Sequence, residues 1–107
     1  MSSEDDSDRI FKALADRRRR AILDALRDAP KTTGQLVAMF PEIDRCTVML
    51  HIRVLTDAGL IVARREGRER WNHLNALPIK DIHDRWIGDY ARNAVSIMSR
   101  IKAIVDA

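Results

Sequence analysis

Apolar residues recur every three or four positions along most of the chain, which is the spacing of amphipathic helices. Asp16, Thr32 and Asp44 each precede such a run, and their side chains can accept hydrogen bonds from the free amides of a first helical turn. Gln35 follows Thr32 by three residues, which makes a capping box. The pattern predicts four helices in the first half of the chain, at about residues 8–15, 16–27, 33–40 and 44–58.

The fourth predicted helix leads into a pattern of strands. Gly59 suits the left-handed residue just past a helix end. Residues 60–63 and 69–74 read as two short strands, and the charged residues 64–68 predict the turn between them. Two helices joined by a short turn and followed by a basic hairpin outline a winged helix-turn-helix. We therefore expect a mainly α (α+β) fold, with about five helices and one two-stranded β-hairpin as the wing.

Arginines supply the charge of the predicted hairpin. Because alternate strand residues share a face, we expect Arg68 and Arg70 to point together and Trp71 to point the opposite way, into the core. Glu66-Gly67 would supply the tight turn. The hairpin could be merely a soluble charged loop, but its position after a candidate recognition helix favours DNA contact. The predicted wing contacts are Arg65 and Arg68.

A long last helix is predicted over residues 79–106, with Pro78 as its start signal. Its apolar stripe is wider than one small domain needs, and such a helix most often packs against a copy of itself. We expect residues 1–7 to be a disordered tail and residues 8–107 to form one winged-helix domain. The residues of this helix that we assign to a dimer interface are Trp86, Tyr90, Ala94, Ile97, Ile101 and Ile104.

Length and charge fit this picture. A chain of 107 residues is one domain by expectation, and a net charge of +3 with a pI of about 9.5 leans towards a nucleic-acid partner. Arginine outnumbers lysine, and its guanidinium group can donate two hydrogen bonds at once to a phosphate or to a guanine edge. The single cysteine excludes an internal disulfide, and no apolar run is long enough for a membrane span. The acidic first residues lack the features of a signal peptide, so a cytoplasmic location is expected.

Helical geometry assigns faces to the fourth helix. Val48 and Ile52 point to the core, whereas the outward and flanking residues of the N-terminal half would read bases. Arg45 could bind guanine O6 and N7, while Met49 and Leu50 could contact thymine methyl groups or form a protein-binding surface. In the second helix, four successive arginines lie at the positive end of the helix dipole, where a phosphate would offset their cost. The candidate DNA contacts of the two helices are Arg18, Arg45, Cys46, Thr47, Met49, Leu50, His51 and Arg53.

An ordered string of motifs resembles ArsR-type winged-helix repressors over roughly residues 9–90. The string comprises Phe11-Lys12-Ala13-Leu14-Ala15-Asp16, Arg19-Arg20-Ala21-Ile22-Leu23, Thr33-Gly34-Gln35-Leu36, Thr47-Val48 with His51-Ile52-Arg53-Val54-Leu55, Ala58-Gly59-Leu60-Ile61 and the wing at 64–75. The resemblance implies a homodimeric bacterial regulator, usually a repressor, that binds double-stranded DNA at an inverted-repeat operator. It also implies an interface between first and last helices, which adds Phe11 to the dimer residues. The chain departs from the family at Arg17-Arg18, where Pro-Thr is common, and at Met49 and Leu50, where polar residues are usual.

Metal sensing, the obvious function of this family, does not match the ligands available. Cys46 has no second thiol, and one cysteine does not make a closed site. Asp81 and His83 match the first half of an Asp-x-His site, but Ala94 and Ile97 occupy the later ligand positions and cannot ligate. The chain thus resembles a non-metal-sensing subgroup, with no cofactor and with an inducer that the sequence does not identify.

The sequence also bears on three other functions, namely redox switching, catalysis and protein binding. Cys46 lies near a helix start beside Arg45, a setting that activates thiols. Cys46 could therefore act as a redox switch, and the alternative is that it is an unreactive helix residue. No nucleophile–base pair, phosphate loop or carboxylate pair predicts an enzyme. The main alternative to a DNA-binding regulator is a winged-helix protein-interaction module anchored by Met49 and Leu50.

Overall fold

The computed structural model describes residues 3–106. Four helices and a small sheet precede one long helical segment at the C-terminal end. Because the backbone stays in the helical region across Ile82, His83 and Gly88, we call residues 77–106 the terminal helix. The elements are α1 Ser3–Leu14, α2 Arg17–Asp28, β1 Lys31–Thr32, α3 Thr33–Ala38, α4 Arg45–Asp57, β2 Ile61–Glu66, β3 Glu69–Leu74, α5 Leu77–Ile82, a π-helical turn His83–Ile87 and α6 Gly88–Asp106. The predicted winged helix-turn-helix fold is confirmed.

The predicted starts of α2 and α3 are confirmed by their hydrogen bonds. Asp16 accepts one from the Arg18 amide at 2.7 Å, at the start of α2. The capping box is complete at α3: the Gln35 amide donates to the Thr32 hydroxyl at 3.1 Å, and the Thr32 amide donates to the Gln35 side chain at 2.9 Å. Local side-chain chemistry therefore fixes where these two helices begin.

The sheet has three antiparallel strands in the order β1-β3-β2. Strand β1, only two residues long, was not predicted, because two residues show no periodicity. The predicted turn over 64–68 is too long: β2 continues to Glu66, which pairs with Glu69, so Gly67 and Arg68 alone form the turn. Gly67 has a φ of 62° and Arg68 does not have a positive φ, the pattern of a type II′ hairpin turn.

The core lies between the helices and the inner face of the sheet. Val48, Ile52 and Leu55 of α4 are buried in it, as predicted. The other buried apolar residues are Ile10, Ala13, Ile22, Leu23, Leu26, Leu36, Phe40, Leu60 and Ile61. Helix α4 is therefore held along one face, which leaves its opposite face free.

The prediction that Trp71 points into the core is wrong. The inner face of β3 carries Asn72, which is fully buried, while Trp71 is half-buried and outside the core cluster. The Asn72 amide donates to the Lys31 carbonyl and the Thr33 hydroxyl, both at 3.2 Å. A polar residue takes the inner position because β1 and α3 provide hydrogen-bond acceptors there.

The predicted disordered tail is wrong for residues 3–7, which belong to α1. Glu4, Asp5 and Asp6 lie in the first turn of that helix. Negative side chains at this end interact favourably with the helix dipole, so an acidic segment can begin a helix. Residues 1 and 2 lie outside the described part of the chain.

Candidate nucleic-acid interface

Helix α4 and the hairpin turn face each other across a cleft of about 390 Å³. Arg45 and Met49 line it from α4, while Arg65 and Arg68 line it from the hairpin. The two hairpin residues follow the two helix residues by about twenty positions in the sequence, and the turn of the chain at Gly59 brings the two pairs together. Four of the ten predicted DNA contacts therefore share one surface.

The cleft is strongly cationic. Arg70 also lines it and donates from Nη2 to the Thr56 hydroxyl of α4 at 3.3 Å, which ties the turn end of the hairpin to the recognition helix. The only acidic side chain among the lining residues is Glu69. A cleft of this composition attracts phosphate groups.

The outward face of α4 carries Cys46, Leu50 and Arg53, all exposed as predicted. Arg53 Nε lies 4.0 Å from the Asp57 carboxylate, and both side chains are largely in solvent. Exposed ion pairs of this length contribute little, so Arg53 can exchange Asp57 for another anion at small cost.

Thr47 is half-buried and takes part in the cap of α4. Its amide donates to Asp44 Oδ1 at 2.8 Å and its hydroxyl donates to Asp44 Oδ2 at 2.9 Å. These hydrogen bonds to the charged carboxylate lower the pKa of Asp44. Thr47 thus organises the start of the recognition helix, while its contact with DNA remains a prediction.

The prediction that His51 contacts DNA is contradicted by its burial. Only 9% of His51 is exposed, and its Nδ1 lies 3.3 Å from Arg19 Nη1 of α2. Because a guanidinium has no acceptor, Nδ1 accepts this hydrogen bond. His51 follows Val48 by three residues, so it falls on the flank of α4 that faces the core.

Two of the four successive arginines hold the end of α1 in place. Arg19 donates to the carbonyls of Ala13 at 2.7 Å and Lys12 at 2.8 Å, and Arg20 donates to the Leu14 carbonyl at 2.6 Å. These carbonyls form the negative end of α1 and offset the cost of cations at the start of α2. Arg18 is half-buried, and its phosphate contact remains a prediction.

The predicted dimer residues fall on the joined surface of α1 and the terminal helix. The rings of Phe11 and Trp86 lie 5.9 Å apart, centroid to centroid, so the two helices meet at this point. Gly88 is buried, and the part of the terminal helix that follows it, residues 89–106, is exposed. The remaining predicted residues on it, all exposed, are Tyr90, Ala94, Ile97, Ile101 and Ile104.

Within residues 3–106, no three His, Cys, Asp or Glu side chains come together in a way that could hold a metal ion. His83 Nδ1 instead lies 3.5 Å from the Asp84 carboxylate. In the same part of the chain, no helix combines the length and the apolar character that crossing a membrane requires.

The fold and the cationic cleft define a winged helix-turn-helix protein, and comparison with known proteins agrees. Residues 14–64 match a family described as a helix-turn-helix domain. The chain is 37% identical over 86 residues to YuzN of Bacillus subtilis, an HTH-type transcriptional regulator, with 75% of this chain and 94% of YuzN covered. It is 32% identical over 72 residues to the transcriptional repressor SdpR of the same species, covering 67% of this chain and 79% of SdpR.

A solved structure adds the family name. The chain matches the crystal structure of an ArsR family transcriptional regulator with a TM-score of 0.73 and 30% identity, over 87% of this chain and 94% of that one. The protein is a transcriptional regulator with a helix-turn-helix DNA-binding domain. It belongs to the ArsR family.

Proposed function

We propose that this protein is a homodimeric repressor that binds an inverted-repeat operator in double-stranded DNA, in the cytoplasm. The observation that carries the proposal is the cleft in which Arg45 and Met49 face Arg65 and Arg68. A helix and a hairpin that share one cationic cleft can engage a groove and its phosphates together.

The two sides of the cleft take different tasks. Helix α4 enters the major groove with its exposed N-terminal half, where Arg45 can fork a guanine edge. Arg65 and Arg68 lie at and beside the two-residue turn of the hairpin, and they contact the adjacent phosphates. The capped start of α4 keeps this half of the helix ordered before DNA binds.

Dimerisation follows from the terminal helix. Its 30 residues span about 45 Å at 1.5 Å per residue, and its C-terminal part leaves isoleucines at least half exposed, namely Ile97, Ile101 and Ile104. A two-fold pair of these helices would bury them and present two copies of α4 to successive major grooves. Repression is the expected outcome because SdpR, a relative, is named a repressor.

Selection of bound duplexes from a random pool, followed by footprinting, tests the proposal. We expect an inverted repeat whose half-sites lie about 10 base pairs apart, centre to centre, or a multiple of that spacing. Binding should weaken steeply with salt, since phosphate contacts release counterions. Failure to enrich any sequence, with binding no tighter than to a random duplex, would reject the proposal.

A further inference from the structure

The recognition helix exposes two apolar side chains that its own fold does not need. Leu50 is 58% exposed and Met49 is 44% exposed. Val48, Ile52 and Leu55 already fill the core-facing side of α4, so neither Leu50 nor Met49 is needed to fill the core. An apolar group held in water at the centre of a binding surface favours an apolar partner group.

The surroundings of this patch identify the partner. Arg53 follows Leu50 by three positions along α4 and Arg45 precedes Met49 by four, so arginines border the patch at both ends. Met49 also lines the cleft with Arg65 and Arg68. An apolar patch that continues directly into a cationic cleft suits a surface that is itself apolar in places and strongly anionic around them. The major groove of DNA has this character, because thymine presents a C5 methyl group between the two phosphate backbones.

We propose that Leu50, supported by Met49, reads thymine methyl groups, so that each operator half-site has thymine beneath this patch. The proposal rests on the proposed function and adds its sequence preference. Leu50 has no donor or acceptor, so opposite guanine, adenine or cytosine it would cover polar edges without pairing them, at a cost. Opposite thymine it buries a methyl group against its own.

Replacement of thymine by uracil tests this contact, because uracil lacks only the methyl group. In the selected operator, one thymine at a time is replaced and the dissociation constant of the duplex is measured at fixed salt. We expect about a fourfold loss of affinity at each contacted position, the value of one buried methyl-sized group. Thymines outside the contacted positions should show no change.

A matched pair of variants assigns the effect to Leu50. Leu50→Ala should bind the thymine operator at least about fourfold more weakly for each half-site, and should lose its preference for thymine over uracil at the equivalent position of both half-sites. Leu77→Ala is the control, since Leu77 is 59% exposed but lies at the start of the terminal helix. It should keep both the affinity and the preference. Circular dichroism spectra like that of the wild type would show that both variants are folded.

Two results would overturn the inference. One is a wild-type protein that binds its operator tightly but equally well with uracil at every position. The other is a Leu50→Ala variant with unchanged affinity and unchanged preference, which would remove Leu50 from the DNA interface. Either result leaves the proposed function standing, whereas the absence of any specific duplex would reject the proposed function itself.

Discussion

Two exposed apolar surfaces on this protein look similar in composition but differ in extent and setting. The terminal helix carries a long stripe in which Tyr90, Ala94, Ile97, Ile101 and Ile104 are spaced alternately by four and three residues. This is the seam of helices that pack side by side. The recognition helix carries only the short patch formed by Met49 and Leu50.

The charged neighbours of the two surfaces differ as well. The terminal helix mixes signs, with Asp89 and Asp106 alongside Arg92 and Arg100. The patch on the recognition helix is bordered by Arg45 and Arg53. The cleft beside the patch holds three more arginines, Arg65, Arg68 and Arg70. A long stripe with mixed charge suits a copy of the same chain, whereas a short patch within positive charge suits a polyanion. Extent and surrounding charge thus predict the partner better than hydrophobicity does.

The largest expected effect comes from charging the long stripe. The double substitution Ile97→Glu and Ile101→Glu would place four carboxylates in the seam of a dimer, so we expect a monomer by sedimentation. Affinity for a full operator should fall at least about 100-fold, because the second half-site would no longer be held at high effective concentration.

Ser99→Glu is the matched control for this experiment. Ser99 is exposed on the same helix but lies two positions from each isoleucine, off the seam. This variant should remain dimeric and bind normally. A monomeric wild-type protein that still binds its full operator tightly would contradict the comparison between the two surfaces.

Helix starts could be predicted from sequence because the decisive contacts are local. Asp16, Thr32 and Asp44 each cap a helix through amides two or three residues away. The inner face of β3 could not be predicted in this way. Alternation favoured Trp71 as the inward residue, but Asn72 points inward, where it donates hydrogen bonds to Lys31 and Thr33. These partners lie about 40 positions earlier in the sequence, so local alternation could not predict them.

The candidate site divides along the same line. Helical spacing was enough to predict that Cys46, Leu50 and Arg53 are exposed and that Val48 is buried. It could not predict that His51 is held by Arg19, since those residues are 32 positions apart. Contacts within one helical turn are encoded locally, whereas polar contacts between helices depend on the completed fold.

An intermediate effect is expected from the cationic setting of the short patch. Arg68→Ala should weaken binding to every duplex by about five- to tenfold and reduce the slope of log affinity against log salt by about 2, because the dimer would lose one phosphate contact from each protomer. Arg27→Ala is the control, because Arg27 is exposed near the end of α2 and is not among the residues that line the cleft. An unchanged slope for Arg68→Ala would remove the hairpin turn from the interface and leave only the arginines of the recognition helix, Arg45 and Arg53, beside the apolar patch.

The smallest expected effect concerns the cap that orders the recognition helix. Hydrogen bonds from the Thr47 amide and hydroxyl lower the pKa of Asp44 in the folded state. Because a depressed carboxyl pKa stabilises the fold only while the group is ionised, this contribution is present above about pH 4 and is lost as the pH falls through the folded pKa.

Asp44→Asn keeps a good N-cap but cannot ionise. Urea midpoints of the two proteins should therefore differ slightly at pH 7 and approach each other as the pH falls below about 4. The carboxyl groups elsewhere in the chain titrate in both proteins, so only the difference between the two curves reports on Asp44. A constant difference from pH 7 to pH 3 would mean that the charge of Asp44 does not hold the recognition helix, and that the short patch is ordered by the core alone.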